Sequence, residues 1–309
     1  MCRTHELRLA LLARNDGSAT ELREELAARG TVVVNLLSSP GSGKTALLEA
    51  ELTRARERGL AVAALTADLA TENDATRLAR SGVPVKQVLT DGLCHLEASM
   101  LRGQLDGWLP DGTRLVFVEN VGNLVCPASY DLGERLRVAL MSVTEGEDKP
   151  LKYPTAFGLA NLVVVTKADL AAAAEFDEAA FLLNVRRVNP GVEVLFTSAR
   201  KGQGVGELLD RAVAVAEGAE PHRPVMADEP VQHTGCTDAH GDEHDDGQGH
   251  GHSRDHGHGH GHSHDHTHDR GDGHRHSHGR TNGREHGQET DPVAAPSRPR
   301  PNLAVGELS

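Results

Sequence analysis

Up to about residue 217 the chain alternates short, nearly uninterrupted apolar runs with longer stretches in which Leu and Ala recur among Arg and Glu. The apolar runs are rich in β-branched residues. They predict strands over Thr31–Leu37, Leu60–Ala67, Val83–Thr90, Arg114–Glu119, Val138–Val143, Leu162–Thr166 and Val192–Thr197. The segments between them predict helices at Ala46–Arg58, Thr76–Ser81, Cys94–Leu105 and Ala174–Val188. Leu208–Glu217 closes the series, and a Glu/Arg/Leu-rich helix over Ala19–Arg29, ended by Gly30, leads into it. Strands without polar alternation are buried on both faces, so the expectation is an α/β fold: a mostly parallel sheet covered by helices on both sides. Binding loops in such a sheet fall at the carboxyl ends of the strands.

The pattern stops near Pro221, beyond which bulky apolar residues almost vanish. From His233 to His286 the chain mixes His, Gly, Asp, Ser and Arg, and Pro292–Ser309 is Pro-rich. Such composition cannot bury a core, so disorder is expected there. Three regions follow: a helical segment at 1–30, a folded domain at 31–217 and a His-rich tail at 218–309. A net charge of −13 gives no reason to expect nucleic acid. Four separated cysteines argue against a disulfide framework and for a reducing compartment. The apolar stretch at Leu7–Leu12 is broken by Arg8, too short and too charged for a signal peptide or membrane span, so the expected location is the cytoplasm.

Ser38–Thr45 reads SSPGSGKT between the first strand and the first long helix, the setting a phosphate-binding loop requires. Main-chain N–H groups from Gly41, Ser42 and Gly43 can wrap the α/β-phosphates, Lys44 can reach the β/γ-phosphates and the Thr45 hydroxyl can hold Mg²⁺. Ser38 stands where the pattern usually has Gly, so that turn must avoid positive φ. The fourth strand ends in Glu119-Asn120-Val121-Gly122 in place of the usual Asp-x-x-Gly. Glu119 suits the Mg²⁺ role and Gly122 a γ-phosphate N–H. Asp68 and Asp74 are further candidates for Mg²⁺ or for orienting water. Asn123 follows where GTPases commonly carry Gln, so turnover is expected to be slow, about 10⁻³ to 10⁻² per second.

Thr166-Lys167-Ala168-Asp169 closes the sixth strand. The Asp169 carboxylate can accept both N1–H and the exocyclic amine of guanine, and the Lys167 stem can cover the base. Ser198 and Ala199 follow the next strand, where they can back it. Cys94-His95 and Cys126 are borderline-soft ligands suited to Ni²⁺ or Zn²⁺. Three ligands fall short of a tetrahedral set, and buried cysteines are more often packing. Cys126 nevertheless follows directly on the γ-phosphate loop, and two copies across a two-fold axis would complete a site.

SSPGSGKT, CHLEA at 94–98, ENVGNLVCP at 119–127, SVTEGEDKPLKYP at 142–154 and TKADL at 166–170 together resemble the hydrogenase maturation GTPases that supply nickel to the nickel–iron hydrogenase precursor. The resemblance runs from about Asn35 to Glu217. It implies a P-loop GTPase of the dimerising, signal-recognition and MinD-like class, with GTP and Mg²⁺ as cofactors. It further implies a homodimer in the GTP state, an interface metal site from Cys94, His95 and Cys126, and Lys149 contacting nucleotide or the partner subunit. A nickel-binding maturation protein and the hydrogenase large-subunit precursor are the implied partners. Where some members carry an N-terminal cysteine motif, this chain has Cys2 and His5. The tail, with His250, His252, His256, His258, His260, His262, His264, His266 and His268 closely spaced, can chelate divalent ions in many registers. Two alternatives stand beside this reading: a nickel or zinc storage protein with a regulatory G domain, and a related GTPase serving urease or a cobalt or zinc enzyme.

Overall fold

The apolar runs form seven strands: β1 (Val32–Ser38), β2 (Val62–Asp68), β3 (Val85–Leu89), β4 (Leu115–Gly122), β5 (Leu136–Ser142), β6 (Leu162–Thr166) and β7 (Glu193–Phe196). They join in one parallel sheet of order β3-β2-β4-β1-β5-β6-β7. The computed structural model describes residues 3–68, 73–90 and 92–227, and every side chain among them except those of residues 3–5, 8 and 68. Cys2, the side chain of His5, and the tail histidines from His250 to His268 lie outside the described residues, as does the Pro-rich segment 292–309.

Eight helices among the described residues clothe the sheet: α1 (Arg3–Ala28), α2 (Lys44–Glu57), α3 (Asn73–Ala79), α4 (Ala98–Leu105), α5 (Lys149–Lys152), α6 (Pro154–Gly158), α7 (Glu178–Val188) and α8 (Glu207–Ala216). Alternate strand residues face opposite layers. Val34, Leu36, Phe117 and Val138 pack with Leu48 and Leu52 of α2 and Leu208 of α8. Val33, Val116 and Val118 pack on Leu22 and Leu26 of α1 and Leu101 of α4. Further along the same face, Ala139, Met141 and Val163 meet Phe157 of α6 and Phe181 of α7. Each fully buried Phe or Leu contributes roughly 1.5–3 kcal/mol relative to exposure. β1 lies between β4 and β5, so the loop leaving it opens at the centre of the carboxyl edge, where open α/β sheets bind ligands.

Several element boundaries differ from the expected ones. The leading helix begins at Arg3, not Ala19. Asn15-Asp16-Gly17-Ser18 reads as a break, and Gly alone costs about 1 kcal/mol in a helix interior. Tertiary bonds override it: buried Asn15 donates Nδ2–H to the Asp131 carbonyl (2.8 Å) and accepts from the Ala98 N–H (2.9 Å). That second bond also starts α4 at Ala98, four residues later than expected. Cys94 and His95 therefore sit in a loop and not at a helix head; Thr90 diverts the chain there by a turn to Leu93 (2.6 and 2.9 Å). α7 begins at Glu178, not Ala174, because the Asp177 side chain caps the Ala180 N–H. β4 runs past Glu119 to Gly122. The short helices α5 and α6, each with Pro in its first turn, are too brief to leave a periodic signal.

Candidate functional site

The loop between β1 and α2 takes positive φ at Gly41 (72°) and Gly43 (91°), while Ser38 stays within β1, as the turn requires. Gly43 precedes α2, so main-chain N–H groups and the helix dipole converge on one point. They border a cleft of about 530 Å³ lined by Pro40, Ser42, Lys44, Asp74, Glu119 and Gly122, among others. Gly122 approaches the loop so closely that a Cβ there would lie 3.3 Å from Pro40 Cα. A side chain at that position would push the fourth strand away from the phosphate loop.

Lys44 Nζ stands 3.5 Å from Glu119 Oε1, and the Thr45 hydroxyl lies 2.6 Å from the same oxygen and 3.1 Å from Asp74 Oδ1. Burial pushes the Glu119 carboxyl above its ordinary range, with Lys44 and the Thr45 hydroxyl opposing. Glu119 Oε2 is buried with no hydrogen-bond partner. A hydroxyl and two carboxylates, one with an orphaned oxygen, form a hard donor set that suits Mg²⁺. Asp68 closes β2, but its side chain lies outside those described. Asn123 spends its side-chain oxygen on the Val125 and Cys126 N–H groups (2.8 and 3.4 Å), so it shapes the Cys126 turn and is not aimed at an attacking water. Arg77, which also lines the cleft and pairs with Glu49 (2.6 Å), belongs to no motif and escaped the sequence reading.

A second cleft, about 340 Å³, adjoins the first across Gly43 and Ala46. Thr166, Lys167, Asp169, Ser198 and Ala199 all line it. Ser198 Oγ donates to Asp169 Oδ1 (2.6 Å), which orients the carboxylate. Lys167 adopts the left-handed conformation (φ 56°) that side chains seldom take, and its ammonium reaches back to the Gly41 carbonyl (2.8 Å). The Thr166 hydroxyl donates to the Ser42 carbonyl, tying this loop to the phosphate loop.

Cys94 and His95 follow β3 and Cys126 follows β4, and within one protomer Cys94 contacts each of the other two. Cys94 Sγ lies 3.8 Å from His95 Nδ1, and a hydrogen bond with Cys126, then burial, pushes the Cys94 thiol up. Burial lowers the His95 imidazole below its usual range against the pull of Glu97, which favours the neutral, ligating form. His95 Nε2 is buried, makes no close hydrogen bond and stands 3.8 Å from Glu97 Oε1, and the ring stacks on Tyr130 at 3.9 Å. Among the described residues no group of three or more His, Cys, Asp or Glu side chains is placed to hold a metal ion. Lys149, expected at the nucleotide or the partner, pairs within the protomer with Glu145 (2.7 Å) and lies over the Tyr153 ring (4.8 Å). The Ser142–Glu145 capping box places Glu145 within its reach.

A phosphate loop on the central strand of a parallel α/β sheet, with a carboxylate and hydroxyl set beside it, defines a P-loop nucleotide-binding domain. The model of the family described as CobW/HypB/UreG, nucleotide-binding domain, matches residues 32–196, and the chain belongs to that family. It is 48% identical over 200 residues to hydrogenase maturation factor HypB of Azotobacter vinelandii, covering 64% of this chain and 65% of that protein. To HypB of Escherichia coli K12 it is 44% identical over 205 residues, covering 66% and 70%. The match thus spans about two thirds of the length of these curated relatives. The solved structure of HypB from Helicobacter pylori in complex with nickel superposes with a TM-score of 0.62 at 35% identity, covering 67% of this chain and 97% of that one.

Proposed function

We propose that the protein is a GTP-hydrolysing nickel metallochaperone that gates nickel delivery to the large-subunit precursor of nickel–iron hydrogenase. The observation that carries this is the placement of the thiol–imidazole cluster beside the nucleotide cleft: Cys126 lies four residues beyond Gly122, which abuts the phosphate loop. Relatives named for hydrogenase maturation, and a related structure holding nickel, support it.

In this reading Gly41, Ser42, Gly43 and Gly122 bind phosphate by main-chain N–H groups, and Lys44 neutralises charge developing on the γ-phosphate. Thr45, Glu119 and Asp68 hold Mg²⁺, which would help neutralise the phosphate oxygens, and Asp74 or Asp68 orients water. Lys167, Asp169, Ser198 and Ala199 select guanine, and Thr166 ties their loop to the phosphate loop. Nickel, or zinc in its place, binds Cys94, His95 and Cys126. Exposed Leu89, Leu93 and Val125 flank these residues in sequence and suit burial against a second copy in the GTP state. Residues 218–309 serve as a nickel store feeding the site, and the protein works in the cytoplasm; no helix among the described residues is long and apolar enough to cross a membrane.

The test is a nickel titration with GDP and with a non-hydrolysable GTP analogue, on the wild type and Cys94→Ala. Nucleotide-dependent affinity that disappears in Cys94→Ala is expected. The same affinity with either nucleotide would end the gating role.

A further inference from the structure

Between the nucleotide strand and the thiol–imidazole loops runs a buried polar chain that belongs to neither site. Asn120, next to Glu119 on β4, donates Nδ2–H to Asn35 Oδ1 on β1 (3.3 Å). Asn35 donates Nδ2–H to Glu134 Oε1 (3.3 Å), and Arg137 Nε–H donates to that oxygen (2.7 Å). The two remaining Arg137 nitrogens donate to the carbonyls of Ala128 and Tyr130 (3.1 Å each). Ala128 lies two residues past Cys126, and the Tyr130 ring carries His95. Glu134 Oε2 accepts from the Leu132 N–H (2.6 Å).

Asn35, Asn120 and Glu134 are buried in a layer otherwise filled by Val, Leu and Ala. Apolar side chains of similar size would pack there at no cost in desolvation, so hydrophobic burial alone does not account for a charge pair and two amides. What this chain does that an apolar core would not is fix two main-chain carbonyls relative to one residue of β4. The Arg fork engages both carbonyls at once, so the segment carrying Cys126 and Tyr130 follows the guanidinium as a unit.

We propose that Asn120, Asn35, Glu134 and Arg137 are positioning residues through which the nucleotide state at β4 sets the geometry of Cys94, His95 and Cys126. The inference rests on the reading that those three bind nickel under nucleotide control. A displacement of Glu119–Gly122 on γ-phosphate binding moves Asn120, and the hydrogen-bonded chain carries the shift to the Ala128 and Tyr130 carbonyls. Coupling between sites is the ratio of affinities in the two states, so the network is tested by that ratio and not by affinity alone.

The experiment uses the full chain, titrated with nickel ion in the presence of GDP and of a non-hydrolysable GTP analogue. Binding is read from the thiolate-to-nickel charge-transfer band that Cys94→Ala lacks, which excludes the tail imidazoles. The wild type is expected to give affinities differing by about 5- to 150-fold between nucleotides. Asn35→Leu/Asn120→Leu removes both partners of a link with apolar groups of similar shape. Arg137→Lys keeps the charge opposite Glu134 but loses the fork, and it carries the test alone if the double variant does not fold. In each, the band should still form while the ratio falls to within about twofold of one. Weaker binding with an unchanged ratio would make the network merely structural and overturn the proposal, leaving the nickel reading intact. A wild-type ratio of one would overturn both.

Discussion

The Lys44 ammonium and the Glu119 carboxylate face each other at 3.5 Å, both almost closed off from solvent. The phosphate loop and the end of β4 are thereby joined by a buried ion pair, so one side chain cannot be removed without stranding the other.

Lys44→Ala is expected to lower GTP turnover by about 10²- to 10³-fold, measured as single-turnover phosphate release. Stranding a buried carboxylate costs roughly 3–5 kcal/mol while it stays charged. Glu119 escapes that cost by taking up a proton, and its carboxyl is already pushed up by burial. The loss of folding stability should therefore be smaller at pH 5 than at pH 8. Equal losses at the two pH values would mean that Lys44 does not govern proton uptake by Glu119.

Asp169→Asn should weaken GTP binding by about 3 kcal/mol, on the order of 100-fold, since two hydrogen bonds to a charged acceptor are lost. Xanthosine triphosphate, whose carbonyl at the same ring position can accept from the new amide, should gain affinity. Competition binding with both nucleotides checks this. Thr166→Val, which removes only the hydroxyl linking the two loops, should weaken both nucleotides alike and leave the preference for guanine in place.

Glu51, on α2, is fully buried and caps α8 by accepting from the Gly206 and Leu209 N–H groups (2.9 and 3.1 Å). Burial outweighs those bonds and raises its carboxyl to about 7. A folded value above the unfolded one means its contribution is complete below about 4.5 and is lost as pH rises through about 7. The stability advantage of wild type over Glu51→Gln should shrink across that window by up to ~1.4 kcal/mol per pH unit in urea unfolding. Glu134, held down to about 2, acts in the opposite sense: its contribution is present above about 4.5 and disappears as pH falls toward 2. A pH-independent difference between wild type and Glu51→Gln would show that Glu51 titrates normally.

Deleting residues 233–286 should reduce the nickel bound per chain in calorimetry while leaving the thiolate-dependent component. The lost component should also fade in the intact chain below about pH 6.5, where imidazole protonates. Retention of the full stoichiometry after deletion would remove the storage role.

All seven strands, the phosphate loop and five residues of the second cleft, Thr166, Lys167, Asp169, Ser198 and Ala199, were legible in the sequence because they depend on local pattern. The apolar runs of β1, β4 and β6 are buried on both faces, while β3 and β7 at the sheet edges are only partly buried, and Gly41 and Gly43 supply the positive φ of the phosphate loop. The start of α1 was not legible, since the Asn15 side chain is satisfied by Asp131 and Ala98, more than eighty residues away. The same bonds decide that Cys94 and His95 stand in a loop. Nor does spacing indicate that Lys149 turns inward to Glu145, or that Asn123 is committed to the Cys126 turn.

By itself, the sequence determined the order of strands and helices and the chemistry at each strand end. Only the tertiary structure decided which ends meet, because parallel pairing places Ser38 beside Gly122 and aligns Asn35 with both Val118 and Arg137. Hydrophobic periodicity specifies which face of each element is buried; it carries no information about a hydrogen bond between Asn120 and Asn35, which exists only once β1 and β4 lie side by side.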